Sequence, residues 1–203
     1  LAMNGHGHRG NVKLCEGDVF NRGSYDDAFK GCSAIVHTGT PIGNHGETPQ
    51  QVYDGAFTEL DHVLGSAIDG GNLKRFIYTS SMAAVGHPRP EGYVYTEREW
   101  CDDNMEAQKG TWSDDRIAED RDLAYKMAKA RSERMLYARA DQEGSFEAIS
   151  LLPIHVLGPI MCNNHDQAWS WQSCIRYMLA GKDYKKSPNG RMFWLITDVR
   201  DVG

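Results

Sequence analysis

Apolar and polar positions along the chain follow two rhythms, and the rhythm changes at regular intervals. Between Asn11 and Asp18, Val12 and Leu14 alternate with polar neighbours and predict a first strand at 12–18. The segment GSYDDAFKG then predicts a short helix with Ser24 as N-cap, Asp26 and Asp27 in the first turn, and Gly31 at its close. SAIVHT, Ser33 to Thr38, reads as a buried strand and leads into a glycine-rich loop. Next, Thr48 is placed to cap a helix with Pro49 at its first position, and Val52, Ala56, Leu60, Val63, Leu64 and Ala67 recur at helical spacing. An amphipathic helix is therefore expected over Gln50 to Ile68, ending at Gly70-Gly71.

The second half repeats the alternation. LKRFIYTSS, Leu73 to Ser81, predicts a strand that runs into a small-residue loop, while the polar stretch from His87 to Asp115 predicts no regular structure. A helix is expected from Ala118 to about Asp141, ending before Gly144, and FEAISLLPIHVLGP predicts a strand closed by Pro153 and a Gly158-Pro159 turn. A last helix, Asp166 to Gly181, precedes a strand-like segment, Met192 to Thr197. Strand and helix alternating at this spacing indicate an α/β fold, a doubly wound parallel sheet with helices on both faces. Ligands of such sheets bind beyond the carboxyl ends of the strands, which directs attention to Asp18, Thr38 to Pro41, Thr79 to Met82 and Pro153 to His155.

Composition narrows the function. The 203 residues, 40% hydrophobic and 25% charged, suit one globular core and the beginning of a second unit. A net charge of -6 without basic blocks argues against nucleic acid or an anionic membrane as main partner and favours small molecules. No apolar run reaches the length of a membrane span and no signal-peptide pattern is present. Cys15, Cys32, Cys101, Cys162 and Cys174 are scattered and never form a C-x-x-C pair, as expected of reduced thiols in the cytoplasm. A start at Leu1 and a stop just after FWLITDV suggest a piece of a longer protein.

Two local patterns invite chemistry. Gly5, Gly7 and Gly10 spell G-x-G-x-x-G, but too few residues precede them for a strand and a strand pattern follows them. A pyrophosphate loop needs a strand before it and a helix N-terminus after it, so this match is taken as a simple loop. His6 and His8 lack further ligands nearby, so no metal site is expected. Tyr125 and Lys129, in YKMAK, stand at i and i+4 on one helix face, where a cation could favour the phenolate of a tyrosine. Alone the pair carries little meaning. Ser81 at a strand end upstream, Tyr125 and Lys129 on a helix, and Pro153 at a later strand end form a joint pattern with few bland explanations.

That joint pattern resembles the extended short-chain dehydrogenase/reductases of the epimerase/dehydratase superfamily, and most of all their dihydroflavonol-4-reductase-like branch. The resemblance runs through EGDVFNRGSYDDAFKGCSAIVHTGTP, RFIYTSS, YKMAKARSE, LLPIHVLGP and WLITDVRDV. It implies a Rossmann-type core over residues 1–158, without the N-terminal glycine-rich motif, which would lie before Leu1, and the start of a substrate-binding region over 159–203. It implies NADP as cofactor, with NAD possible, and a small carbonyl or alcohol substrate. Ser81 would polarise the substrate oxygen, Tyr125 would exchange the proton, and Lys129 would lower the Tyr125 pKa and hold the ribose. Asp18 and Val19 match residues at the adenine; Thr38, Gly39 and Thr40 match the loop along the adenosine and pyrophosphate. Thr79 and Ser80 would line the cofactor, and Pro153, Ile154 and His155 match the turn beside the nicotinamide.

Ala56 stands where many relatives carry an asparagine, Glu59 where a glycine is usual, and Gly86 where flavonoid reductases carry an asparagine, so a flavonoid substrate is not supported. Trp169 and Trp171 suit either core or an apolar substrate lid. The expected activity is carbonyl reduction, with a nucleotide-sugar epimerase or dehydratase holding NAD, or a silent cofactor sensor, as alternatives; a homodimer is possible.

Overall fold

The computed structural model describes residues 12–39, 47–86, 89–102, 114–159, 175–176, 179–181 and 196–202. Its elements in chain order are α1 (Asp26–Phe29), β1 (Ala34–His37), α2 (Pro49–Asp69), β2 (Arg75–Thr79) and a 3-10 turn (Met82–Ala84), then α3 (Asp114–Glu119), α4 (Arg121–Glu143), β3 (Glu147–Leu151), β4 (His155–Leu157), β5 (Ile196–Asp198) and α5 (Val199–Val202). β1, β2 and β3 form a parallel sheet in that order, with Phe76 opposite Ile35 on one side and Ala148 on the other. β4 and β5 form a separate parallel pair in which His155 lies opposite Ile196. Helix and parallel strand alternate as the sequence requires, in a Rossmann-like arrangement.

α2 starts where the sequence places it. The Thr48 side chain accepts from the Gln51 amide, the Gln51 side chain accepts from the Thr48 amide, and Pro49 occupies the first turn, where a missing N–H costs nothing. Its apolar stripe, Leu60, Val63, Leu64 and Ala67, packs on Ile35, Phe76 and Tyr78 of the sheet and on Leu136 of α4. Leu60 and Leu64 are fully buried, each contributing about 1.5–3 kcal/mol. α2 ends where Gly70 meets the end of α1: the Gly31 amide donates to the Gly70 carbonyl at 3.0 Å, and a Cβ on Gly70 would stand 2.6 Å from the Phe29 carbonyl oxygen. At the end of α4, Gly144 takes the left-handed conformation, φ 61°, and its amide donates to Ala140.

Several local expectations are corrected. Residues 12–17 form no strand: Val12 and Leu14 are 75% and 84% exposed, and no described strand pairs with them. Alternation alone supplies a face, whereas a strand also needs a ladder partner. Ser24 does not cap α1; its hydroxyl accepts from the Asp18 amide and donates to the Asp18 carbonyl, tying down the preceding turn. The helix expected over Ala118–Asp141 is two helices, because Asp120 adopts an extended conformation and caps α4 by accepting from the Leu123 amide. The strand expected to close at Pro153 does so as β3, and beyond the proline a short strand not expected from the sequence, β4, pairs with β5. Among the described residues, α2 and α4 cover one face of the sheet, while Val36 and Ile149 are 59% and 36% exposed on the other.

Candidate active site

In β2, Phe76 and Tyr78 point to the helices and are fully buried, so the strand delivers Thr79 to its carboxyl end and the chain leaves the sheet at Ser80 and Ser81. Backbone bonds hold this exit against the end of β3: Ser80 donates to the Leu151 carbonyl at 2.8 Å and Met82 to the Pro153 carbonyl at 3.0 Å. Ser81 is extended, and its hydroxyl oxygen caps the 3-10 turn by accepting from the Ala83 amide at 3.1 Å. The structure therefore brings Thr79, Ser80, Ser81 and Pro153 together at one edge of the sheet.

α4 packs behind this edge, with Ala124, Met127 and Ala128 buried and Tyr125 half-buried. The Ser81 hydroxyl stands beside the Tyr125 phenol; burial pushes the Tyr125 pKa up and the serine pulls it partly back. One turn on, Lys129 is 3% exposed, and its Nζ donates to the Tyr78 hydroxyl at 3.2 Å and to the Thr79 carbonyl at 3.0 Å. The ammonium lies 4.8 Å from the Tyr78 ring centroid and 6.0 Å from that of Tyr125. The depression of Tyr125 expected from Lys129 is not seen: burial dominates and raises the phenol's pKa, opposed only by Ser81. Burial lowers the Lys129 pKa to about 8, and the Glu59 and Glu133 carboxylates oppose that fall.

The other expected residues fall in two places. Val19, Thr38 and Gly39 line a groove of about 480 Å³ along the edge of β1 away from β2, together with Lys13, Cys15 and Tyr25. Asp18 stands beside it in a turn, its carboxylate accepting from the Phe20 amide at 2.9 Å, and the Val19 carbonyl is 3.2 Å from His62 Nδ1. That groove is not lined by Ser81, Tyr125 or Lys129. Ile154 donates from its amide to Thr197 Oγ1 at 3.3 Å, and His155 opens β4. Thr40, the G-x-G-x-x-G segment, His6, His8, Trp169 and Trp171 lie outside the described residues. Among the described residues, no group of three or more metal-ligating side chains occurs, and no helix is long and apolar enough to cross a membrane.

Sequence reasoning passed over the residues packed behind Lys129. Tyr78 accepts from it, Glu59 is buried within the apolar stripe of α2, and His37 Nε2 lies 3.0 Å from Glu59 Oε2. Glu133 accepts from the Trp100 indole at 3.0 Å. The signal for Glu59 was present, as a charged residue between Ala56 and Leu60 on a face that is otherwise apolar.

Over 153 residues the chain is 26% identical to dihydroflavonol 4-reductase of Arabidopsis thaliana, covering 74% of this chain and 37% of that protein. It is 26% identical over 159 residues to cinnamoyl-CoA reductase CAD2 of Medicago truncatula, covering 76% of this chain and 45% of that one. The chain thus spans less than half the length of these two relatives. The structure of yeast methylglyoxal/isovaleraldehyde reductase Gre2 complexed with NADPH superposes with a TM-score of 0.69 at 20% identity, over 91% of this chain and 55% of that one. The family model of the NAD dependent epimerase/dehydratase family matches residues 2–203. With a parallel sheet, a serine leaving its second strand and a Tyr-x-x-x-Lys helix packed behind it, the chain belongs to the NAD-dependent epimerase/dehydratase family.

Proposed function

We propose that the chain is the cofactor-binding and catalytic part of an NADPH-dependent reductase that converts a small aldehyde or ketone to an alcohol. The observation that carries this reading is the placement of Ser81, where the chain leaves the carboxyl end of β2, beside Tyr125 of α4, with Lys129 buried one turn away. Two hydroxyls side by side there can hold one carbonyl oxygen, Ser81 by donating a hydrogen bond and Tyr125 by giving up its proton as negative charge develops. A phenol whose pKa is raised is suited to stay protonated until that moment, so it serves as the acid. Relatives that are reductases, and a neighbour in complex with NADPH, support the same choice of reaction and cofactor.

The described residues fit a nicotinamide dinucleotide. Thr38 and Gly39 end β1, Thr79 and Ser80 end β2, and Pro153 to His155 follow β3, so all border the carboxyl edge of one parallel sheet. Gly39 has open space where a side chain would stand, leaving room for close approach. Asp18, Val19, Thr38, Gly39 and Thr40 would take the adenosine end; Thr79, Ser80, Tyr125, Lys129, Pro153, Ile154 and His155 would take the nicotinamide end. The bound cofactor would supply the hydride. Residues 1–158 would form this part and 159–203 would begin the substrate-binding part. Cys15 and Cys32 are free thiols, as suits a cytoplasmic protein.

The test is consumption of NADPH, and of NADH beside it, by the intact protein with a panel of aliphatic and aromatic aldehydes and ketones. Turnover with one carbonyl class supports the reading. Cofactor bound but never consumed, with interconversion of a nucleotide sugar, would replace it by an epimerase or dehydratase; binding without either activity would leave a sensor.

A further inference from the structure

Ser81 and Tyr125 sit on different elements, and a third stretch of chain, Trp100 to Asp102, grips both. The 3-10 turn that Ser81 caps, Met82–Ala84, is a single turn with poorly aligned bonds of its own, so its direction is set from outside. Its near end is tied to the end of β3 by the Met82 amide and the Pro153 carbonyl. Its far end is tied to Cys101, whose amide donates to the Ala84 carbonyl at 2.7 Å. The Cys101 side chain turns the other way, to α4. It is 1% exposed, and its thiol donates to the carbonyl of Lys126, the residue after Tyr125, at 3.7 Å. Ala84 of the turn shares one buried cluster with Cys101 and with Ala124, Met127 and Ala128, which surround Tyr125 along α4. The residues on either side of Cys101 fix it further along the same helix. The Trp100 indole donates to Glu133 at 3.0 Å and its ring lies 4.2 Å from the Arg134 guanidinium, which in turn donates to Asp102 Oδ1 at 3.0 Å. With both neighbours held on α4, the segment cannot slide or roll about the Cys101 contact.

Resting on the reductase reading, we propose that Cys101 is a positioning residue of the proton-transfer site: it pins the turn that follows Ser81 against α4 beside Tyr125, so that both hydroxyls meet one carbonyl oxygen. A thiol is a weak donor, so the contact works by direction and close packing more than by bond strength. Placement is what the reaction needs, because a proton donor displaced by a fraction of an ångström loses its line to the oxygen. Cys101 touches neither substrate nor cofactor in this account; it acts through the turn and α4.

The test compares Cys101→Ala and Cys101→Ser with wild type in the intact protein, under conditions where urea unfolding shows each fully folded. In Cys101→Ala, kcat should fall about tenfold while the KM for the carbonyl and the dissociation constant for NADPH stay nearly the same. Cys101→Ser, which keeps a donor of similar shape, should restore most of kcat. The ring signal of Tyr125 in tyrosine-labelled protein, assigned by its loss in Tyr125→Phe, reads the same placement by NMR without turnover. Cys101→Ala should move it in the direction that Ser81→Ala moves it. A lower urea midpoint with kcat and the Tyr125 signal both unchanged would make Cys101 a stability residue alone and overturn the proposal. A protein that reduces no carbonyl refutes the reductase reading, and the Tyr125 signal still decides the role of Cys101. If Cys101→Ala does not fold, Trp100→Phe takes its place, since it keeps a ring beside Arg134 and removes the bond to Glu133. A shifted Tyr125 signal then supports the clasp, and an unmoved one overturns it.

Discussion

Replacing Lys129 by methionine removes a buried charge whose cost depends on pH, and the structure gives both the size and the sign. Lys129 is 3% exposed, and burial lowers its pKa from 10.5 to about 8. At about 1.4 kcal/mol for each pH unit, that difference corresponds to about 3 kcal/mol. Between about pH 8 and 10.5 the unfolded chain still holds the lysine proton while the folded protein has released it. The unfolded state then binds more protons, so the lysine's contribution to stability rises as pH rises. Methionine is close in length and does not titrate. Urea unfolding of wild type and Lys129→Met, followed by far-UV circular dichroism at a series of pH values, isolates the effect, because the other titrating groups are common to both proteins. The free energy of the wild type relative to the variant should increase across this window by about 3 kcal/mol. A flat difference, or one that falls, would show that Lys129 keeps an ordinary lysine pKa and that the charges around it are not arranged as described.

Two further substitutions probe the framework that carries the site. Leu64→Ala empties a fully buried position between α2 and the sheet and should destabilise the protein by about 2–5 kcal/mol, read as a lower urea midpoint with little change in slope. Thr48→Ala removes one half of the capping box at the start of α2 and should cost about 1 kcal/mol in the same assay, with Thr48→Ser restoring most of it.

The parts of the fold legible from sequence are those whose signals are local. The Thr48-Pro49 start of α2 combines a cap, a proline and a long apolar stripe that all favour one structure, and each appears as expected. Gly144 ends α4 for a similar reason, since its left-handed backbone suits glycine. Readings that depended on distant partners failed. Val12 and Leu14 alternate correctly but have no described neighbour to ladder with. Asp120 was read as one polar residue on a continuous helix, whereas its side chain serves a cap that only the backbone angle reveals. For the site, Ser81, Tyr125 and Lys129 could be picked out because order and spacing constrain them together. The contact of Glu59 with His37 could not, because helix α2 and strand β1 contribute one residue each, and their 3.0 Å approach exists only after the two elements pack.

The central claim is that Tyr125 delivers the proton to a carbonyl oxygen, and the most direct measurement is reduction by Tyr125→Phe with cofactor affinity measured in parallel. Phenylalanine keeps the ring on α4 and removes only the hydroxyl beside Ser81. NADPH should bind the variant with nearly unchanged affinity while kcat falls by about 100-fold or more. A variant that reduces the same carbonyl at close to the wild-type rate would contradict the account and move the proton donor elsewhere.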